Sequence, residues 1–152
     1  MKAYRHLGLV LYWLLRPLLR VVLRRSKRVY IALVHDGQVC AVKNWMARDT
    51  WRLPGGGMKA NETPAETAQR EIREELGLHV STQWLTKLIE GVQTTDGLGF
   101  FYTVFAYQLE ARPTLRANRY ELTATGWINT VAEDFDEILV LACQELQRRK
   151  MV

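Results

Sequence analysis

The stretch REIREELG, residues 70–77, constrains this chain more than any other. On a helix, Glu71, Glu74 and Glu75 fall on one side, at i, i+3 and i+4. Like charges at that spacing repel by a few tenths of a kcal/mol per pair. Either the face is solvated, with Glu66–Arg70 and Arg70–Glu74 pairs offsetting the repulsion, or something positive belongs on it. The frame is well marked. Thr63-Pro64-Ala65-Glu66 is a capping box with proline at the first helical position, and Gly77 is a C-terminal stop. The spacing predicts a helix over Pro64–Leu76 with Ala65, Ala68, Ile72 and Leu76 as its apolar stripe. The three glutamates are expected to point away from that stripe.

Around this helix the pattern is strand-rich. RVYIALVHDGQVCAVKNW reads as two β runs about a hairpin signal, His35-Asp36-Gly37-Gln38. MARDTWRLPGGG reads as a loop with a short extended piece before Pro54. WLTKLIEGVQTT and FFYTVFAYQLEA read as strands joined by a turn at Asp96-Gly97-Leu98-Gly99, and ELTATGWINT as a further strand. A last helix is expected from about Asp136, its cap, to Arg149. Strands with one early and one late helix imply an α/β class protein, a mixed sandwich. The 152 residues suffice for one compact domain, expected over 28–150, preceded by a basic segment over 1–27.

Charge separates those two parts. Residues 1–30 hold eight of the 21 Lys and Arg and no acid, leaving 13 bases against 16 acids beyond. The basic balance belongs to the N-terminus alone, which argues against a duplex nucleic-acid surface on the domain. Within residues 7–23, Leu7–Leu15 is apolar but too short to span a bilayer, and Arg16, Pro17 and Arg20 break the apolar run beyond it. Arg16, Arg20, Arg24 and Lys27 would form a stripe on a helix, and Tyr12 and Trp13 favour a membrane interface. The segment is expected to be an amphipathic helix. It either docks peripherally on anionic lipid through residues 1–28, or covers the domain or a homodimer partner. Cys40 and Cys143 have no zinc spacing and read as small buried hydrophobes in a reducing compartment. The expected location is cytoplasmic, with the inner face of the membrane as the variant.

From Gly56 the chain runs GGMKANETPAETAQREIREELGL: Gly56, five residues, Glu62, seven residues, then Arg70 to Leu78. This resembles the signature of the Nudix hydrolase family, GX5EX7REUXEEXGU, in its MutT-like branch, with every fixed position filled. The resemblance implies a Nudix α/β/α sandwich with a mixed sheet. It implies hydrolysis of a diphosphate bond in a nucleoside diphosphate linked to another moiety, with Mg²⁺ (or Mn²⁺) and water attacking phosphorus. By the same resemblance Glu71, Glu74 and Glu75 hold metal, with the Gly56 carbonyl. Arg70 orients the carboxylates, Glu62 supports them, and Glu121 is a candidate base or extra ligand. Divalent cations suit the reaction because they neutralise phosphate charge and acidify water, and Mg²⁺ takes oxygen ligands. Gly55 and Gly57 let the backbone approach phosphates, and Trp51 is a candidate stacking residue.

Many relatives have glycine where this chain has Asn61. If that turn needs positive φ, Asn is the least costly substitute. The downstream markers of ADP-ribose, dinucleoside polyphosphate and NADH hydrolases are absent. Two rival readings are a catalytically silent Nudix-fold binding module and a membrane-peripheral hydrolase of a lipid-linked diphosphate.

Overall fold

The computed structural model describes residues 26–45, 49–95, 98–129 and 134–152. The expected N-terminal helix over 1–27 therefore lies outside the described residues, apart from its last two positions. Lys27 already begins a strand.

The order along the chain is β1 (Lys27–His35), β2 (Gln38–Asn44), β3 (Gly55–Gly57), α1 (Pro64–Leu76), a 3-10 turn (Thr82–Trp84), β4 (Thr86–Thr95), β5 (Leu98–Gln108), β6 (Leu122–Ile128) and α2 (Glu137–Arg148). The sheet runs β4-β5-β1-β2-β6. β1 is central and is parallel to β5 from Lys27↔Phe101 to Val34↔Gln108. Its other edge is divided. β2 takes the end nearest the hairpin and β3 takes the beginning, both antiparallel. The mixed sheet is thus as expected.

A strand buried on both faces reads as a near-continuous apolar run, and β1 does so. Val29, Ile31 and Leu33 join Cys40 and Val42 under Ala68, Ile72 and Leu76 of α1. Tyr30, Ala32 and Val34 join Val39 and Ala41 under Ile138, Leu139, Ala142, Cys143 and Leu146 of α2. The layers are helix, sheet, helix. Both cysteines are free and buried, and burial pushes the Cys40 thiol up to about 12.

The β1–β2 hairpin turns on Asp36 and Gly37, both at positive φ (46° and 73°), as a two-residue turn of this kind requires. At the β4–β5 hairpin Thr95 pairs Leu98, so Leu98 and Gly99 belong to β5 rather than to the turn. The register of β4 shifts between Lys87 and Ile89. There the Arg149 guanidinium donates to the carbonyls of Lys87 (3.1 Å) and Leu88 (2.8 Å), tying the end of α2 to the bulged edge strand. Among the described residues no helix is long and apolar enough to cross a membrane.

Candidate functional site

The loop expected through PGGG is in part a strand. Gly55, Gly56 and Gly57 pair with Tyr30, Val29 and Arg28 of β1. Glycine-rich sequence carries no strand propensity, and close packing explains why glycine is needed. Gly55 sits at φ 143°, where a Cβ would run into the carbonyl of Val29. At Gly56 a Cβ would lie 2.6–2.8 Å from the carboxylate atoms of Glu71. The second glycine is therefore a cradle for that carboxylate.

α1 begins and ends as its sequence requires. Thr63 Oγ1 accepts from the Glu66 amide (3.2 Å), Glu66 accepts from the Thr63 amide (2.8 Å), and Gly77 ends the helix at φ 67°. Asn61 adopts φ 67°, the conformation expected if the turn demanded it. One expectation needs correcting. The glutamates do not all point away from the apolar stripe. Glu71 (8% exposed) and Glu75 (7%) are buried on its flank together with Thr67, and only Glu74 reaches well into solvent. Glu71 and Glu75 lie one position before Ile72 and Leu76, so β3 and the loop before β6 close over them as the core closes over the stripe.

Arg70 organises this face. Its Nε and Nη2 donate to both oxygens of Glu62 (2.7 and 3.0 Å), and Nη2 also donates to the Gly57 carbonyl (3.0 Å). Nη1 donates to Glu71 (2.6 Å) and to Glu74 (3.1 Å). A guanidinium has five N–H donors, and all five are committed. Glu62 also accepts from the Lys59 amide (3.0 Å) and the Thr67 hydroxyl (2.9 Å). Chiefly through Arg70, its carboxyl is held down at about 2. Glu74 has a second, looser cation in Lys59 at 3.7 Å.

The other two carboxylates are under stress. Burial raises the Glu71 carboxyl despite the opposing effect of Arg70. Glu75 accepts one hydrogen bond, from the Gly55 amide at 2.9 Å. Burial pushes it up to about 8, and the charges of Glu71 and Glu121 add to the rise. Glu121 lies just before β6, with its side chain accepting from Asn118 Nδ2 (3.1 Å) and its carbonyl from the Trp45 amide (3.4 Å). The structure thus brings Glu121 within electrostatic range of Glu71 and Glu75.

Among the described residues, no three acidic, histidine or cysteine side chains converge to metal-ligand distance. Arg70 holds Glu71 and Glu74, and the Gly55 amide holds Glu75. The donor set nevertheless fits a hard divalent cation. It consists of oxygen ligands only, with two carboxylates raised chiefly by burial, Glu71 adding to the rise of Glu75 and Glu121 acting on both.

Trp51 is not brought to the glutamates. It bridges to Phe135, packs with the core under α2, and lays its ring against Gly126, with the Lys43 ammonium 5.0 Å from the ring centroid. A cleft of about 350 Å³ opens beside β3, lined by Val29, Met58, Pro64, Val92 and Phe101 among others, but by no glutamate of α1. Sequence reasoning missed Arg52, whose Nε is buried without a partner and whose charge acts on Glu75. A lone arginine in an irregular stretch gives no periodic signal.

The family model described as NUDIX domain matches residues 24–143. An RNA pyrophosphohydrolase of Stenotrophomonas maltophilia (strain K279a) is 35% identical over 104 residues, 68% of this chain and 40% of that protein. One of Xanthomonas campestris pv. campestris (strain B100) is 43% identical over 63 residues, 41% of this chain and 26% of that protein. The chain thus spans well under half the length of these curated relatives. Among solved structures, a MutT NUDIX hydrolase from Burkholderia pseudomallei superimposes with TM-score 0.68 at 23% identity, covering 80% of this chain and 98% of that one. A bifunctional NMN adenylyltransferase/ADP ribose pyrophosphatase from Francisella tularensis gives 0.65 at 19% identity, covering 97% and 47%. At such identities these two report the fold. The matched family model covers most of the chain and contains both β3 and α1, so the chain belongs to the Nudix family.

Proposed function

We propose that this chain is a divalent-cation-dependent hydrolase of a diphosphate bond in a nucleoside diphosphate linked to another moiety, with water attacking phosphorus. Its catalytic unit is residues 28–150. The observation that carries the reading is the pair Glu71 and Glu75, buried on α1 beneath the glycine strand with too little positive charge to balance them. A stable helix does not keep such a pair without use for it, because uncompensated buried carboxylates cost stability.

Glu71, Glu74 and Glu75, with the Gly56 carbonyl, are the residues that hold Mg²⁺ or Mn²⁺. The bound cation supplies charge neutralisation at the diphosphate and a water acidified enough to attack. The rest is the work of the chain. Arg70 orients Glu71 and Glu74 through bonds of 2.6 and 3.1 Å and is itself fixed by Glu62. Gly56 keeps the space over Glu71 open. Gly55 and Gly57 let the backbone come near the phosphates, whereas Trp51, packed under α2, is left without a part at this face. Glu121, an exposed carboxylate whose charge acts on the same buried pair, is the residue that accepts the proton of the attacking water. The names of the curated relatives add an RNA substrate to the candidates.

The test is product release from a panel of dNTPs, oxidised dNTPs, ADP-ribose, nucleotide sugars, isoprenoid diphosphates and RNA bearing a 5′ triphosphate. Each is measured with and without Mg²⁺, beside Glu74→Gln. Metal-dependent turnover that disappears in Glu74→Gln is the expected result. Absence of turnover on every member overturns the hydrolase reading.

A further inference from the structure

Among the described residues the Nε of the half-buried Arg52 is the one buried side-chain N or O atom left without a hydrogen-bond partner, and its position shows what it could serve. Arg52 and Val42 exchange both backbone hydrogen bonds, at 3.0 and 2.9 Å, in an antiparallel bridge. Partners in such a bridge carry their side chains on the same face of the sheet. Val42 belongs to the cluster under α1, so Arg52 is directed to the face that holds Glu71 and Glu75. Its neighbours Trp51 and Leu53 go to the α2 face, as alternation requires. Arg52 is also the side-chain cation that acts on the Glu75 carboxyl.

The contrast with Arg70 is informative. Arg70 commits its five donors to Glu62, Glu71, Glu74 and the Gly57 carbonyl and has none left for a ligand. Lys43 pairs with Asp49 and Asp134 (3.4 Å each), and Lys59 lies by Glu74. A guanidinium whose Nε is shielded from water and has no acceptor is costly. It is retained most simply where an acceptor arrives from outside. A site lined by carboxylates repels a diphosphate, and a planar fork that binds phosphate oxygens in pairs offsets that repulsion.

We infer that Arg52 is a substrate-binding residue whose guanidinium takes an oxygen of the substrate's diphosphate beside Glu71 and Glu75. The inference rests on the hydrolase reading for the nature of the ligand, but it is tested by binding alone. The experiment titrates inorganic diphosphate, with Mg²⁺ present, into the full chain and into Arg52→Met and Arg52→Lys, following heat. Mn²⁺ affinity by electron paramagnetic resonance and the thermal midpoint are measured on each.

Arg52→Met is expected to weaken diphosphate binding about tenfold or more. Arg52→Lys, which keeps the charge and stem but not the fork, should fall between. Mn²⁺ affinity should stay within about twofold and the midpoint should hold or rise, since a shielded unpartnered donor is removed. Equal diphosphate binding by all three proteins, or by none, overturns the inference. So does a parallel loss of Mn²⁺ affinity and midpoint in both variants, which is the mark of a purely structural residue. Arg52-dependent diphosphate binding without turnover of any panel member sinks the hydrolase reading and leaves this one standing.

Discussion

The two helices flank the same sheet and each starts from a side-chain cap, yet they are built for different ends. α2 buries Ile138, Leu139, Ala142, Cys143 and Leu146 and no ionisable carboxylate. Its acidic partner Glu145 stays at the surface beneath Arg148 and Arg149, and Arg149 extends to the backbone of β4. α1 buries Ala68, Ile72 and Leu76, but beside them Glu71 and Glu75. Its arginine is spent on carboxylates and on the glycine strand. Both arrangements hold one glutamate down at about 2, Glu145 in α2 and Glu62 before α1. Only α1 also carries carboxylates pushed the other way. Charges in α2 relieve one another, whereas α1 keeps under cover two carboxylates that burial pushes towards their protonated form.

Carboxylate removal gives the largest separation between the helices. Glu74→Gln and Glu75→Gln should each cut turnover about a thousandfold, while Glu145→Gln leaves it unchanged. A comparable loss from Glu145→Gln would erase the distinction. Next come the three glycines of β3, which differ in what a methyl group meets. Gly56→Ala presses on the Glu71 carboxylate and should lower turnover about 10–100-fold while the chain still folds. Gly55→Ala meets the β1 backbone and should cost about 3 kcal/mol of stability in denaturant unfolding. Gly57→Ala meets nothing within 4 Å and should stay within about 0.5 kcal/mol of the parent.

The buried charge on α1 should also be visible as pH dependence. The Glu75 carboxyl sits at about 8 when folded, against an ordinary value of 4.5. Between those values the folded chain keeps a proton that the unfolded chain has released. Stability therefore falls as pH rises through that window, and it does not recover above it. Glu75→Gln should be more stable than the parent at pH 8, by on the order of 3 kcal/mol, and equal to it at pH 4, in the absence of metal. The parent's affinity for Mn²⁺ should rise from pH 6 to pH 8, with proton release on binding that the Gln variant lacks. A Gln variant less stable than the parent at pH 8 would mean that α1 carries no more strain than α2.

The features legible in the sequence divide along the same line. The capping box, the Gly77 stop and the period of Ala68, Ile72 and Leu76 are local, and the helix formed on the bounds they mark. The β1 run and the Asp36-Gly37 turn are local too. β3 was hidden because its residues have no strand propensity and are held there by β1, a partner distant in sequence. The burial of Glu71 and Glu75 was hidden for a related reason. A helical wheel gives the angle between side chains, but it does not show that β3 and the loop before β6 close over the flank of the stripe. The signature singled out Glu71, Glu74 and Glu75, and only the packing revealed that two of them are buried under stress.

The smallest effect concerns the entry to α1, where Asn61 occupies φ 67°. The left-handed region is nearly free for glycine, tolerable for Asn, and costs about 1 kcal/mol for other side chains. Asn61→Gly should therefore change stability by less than about 0.5 kcal/mol, and Asn61→Ala should lose about 1 kcal/mol. Both should keep turnover, because the turn delivers Glu62 and Thr63 to their partners whichever residue makes it. Asp136, the N-cap at the entry to α2, acts differently. Its side chain accepts from the Ile138 amide at 3.0 Å, so Asp136→Gly should cost more than Asn61→Gly. Unfolding midpoints of the two glycine variants compare the entries directly. A larger loss at Asn61 would mean that the chain enters α1 through side-chain contacts and not through backbone conformation.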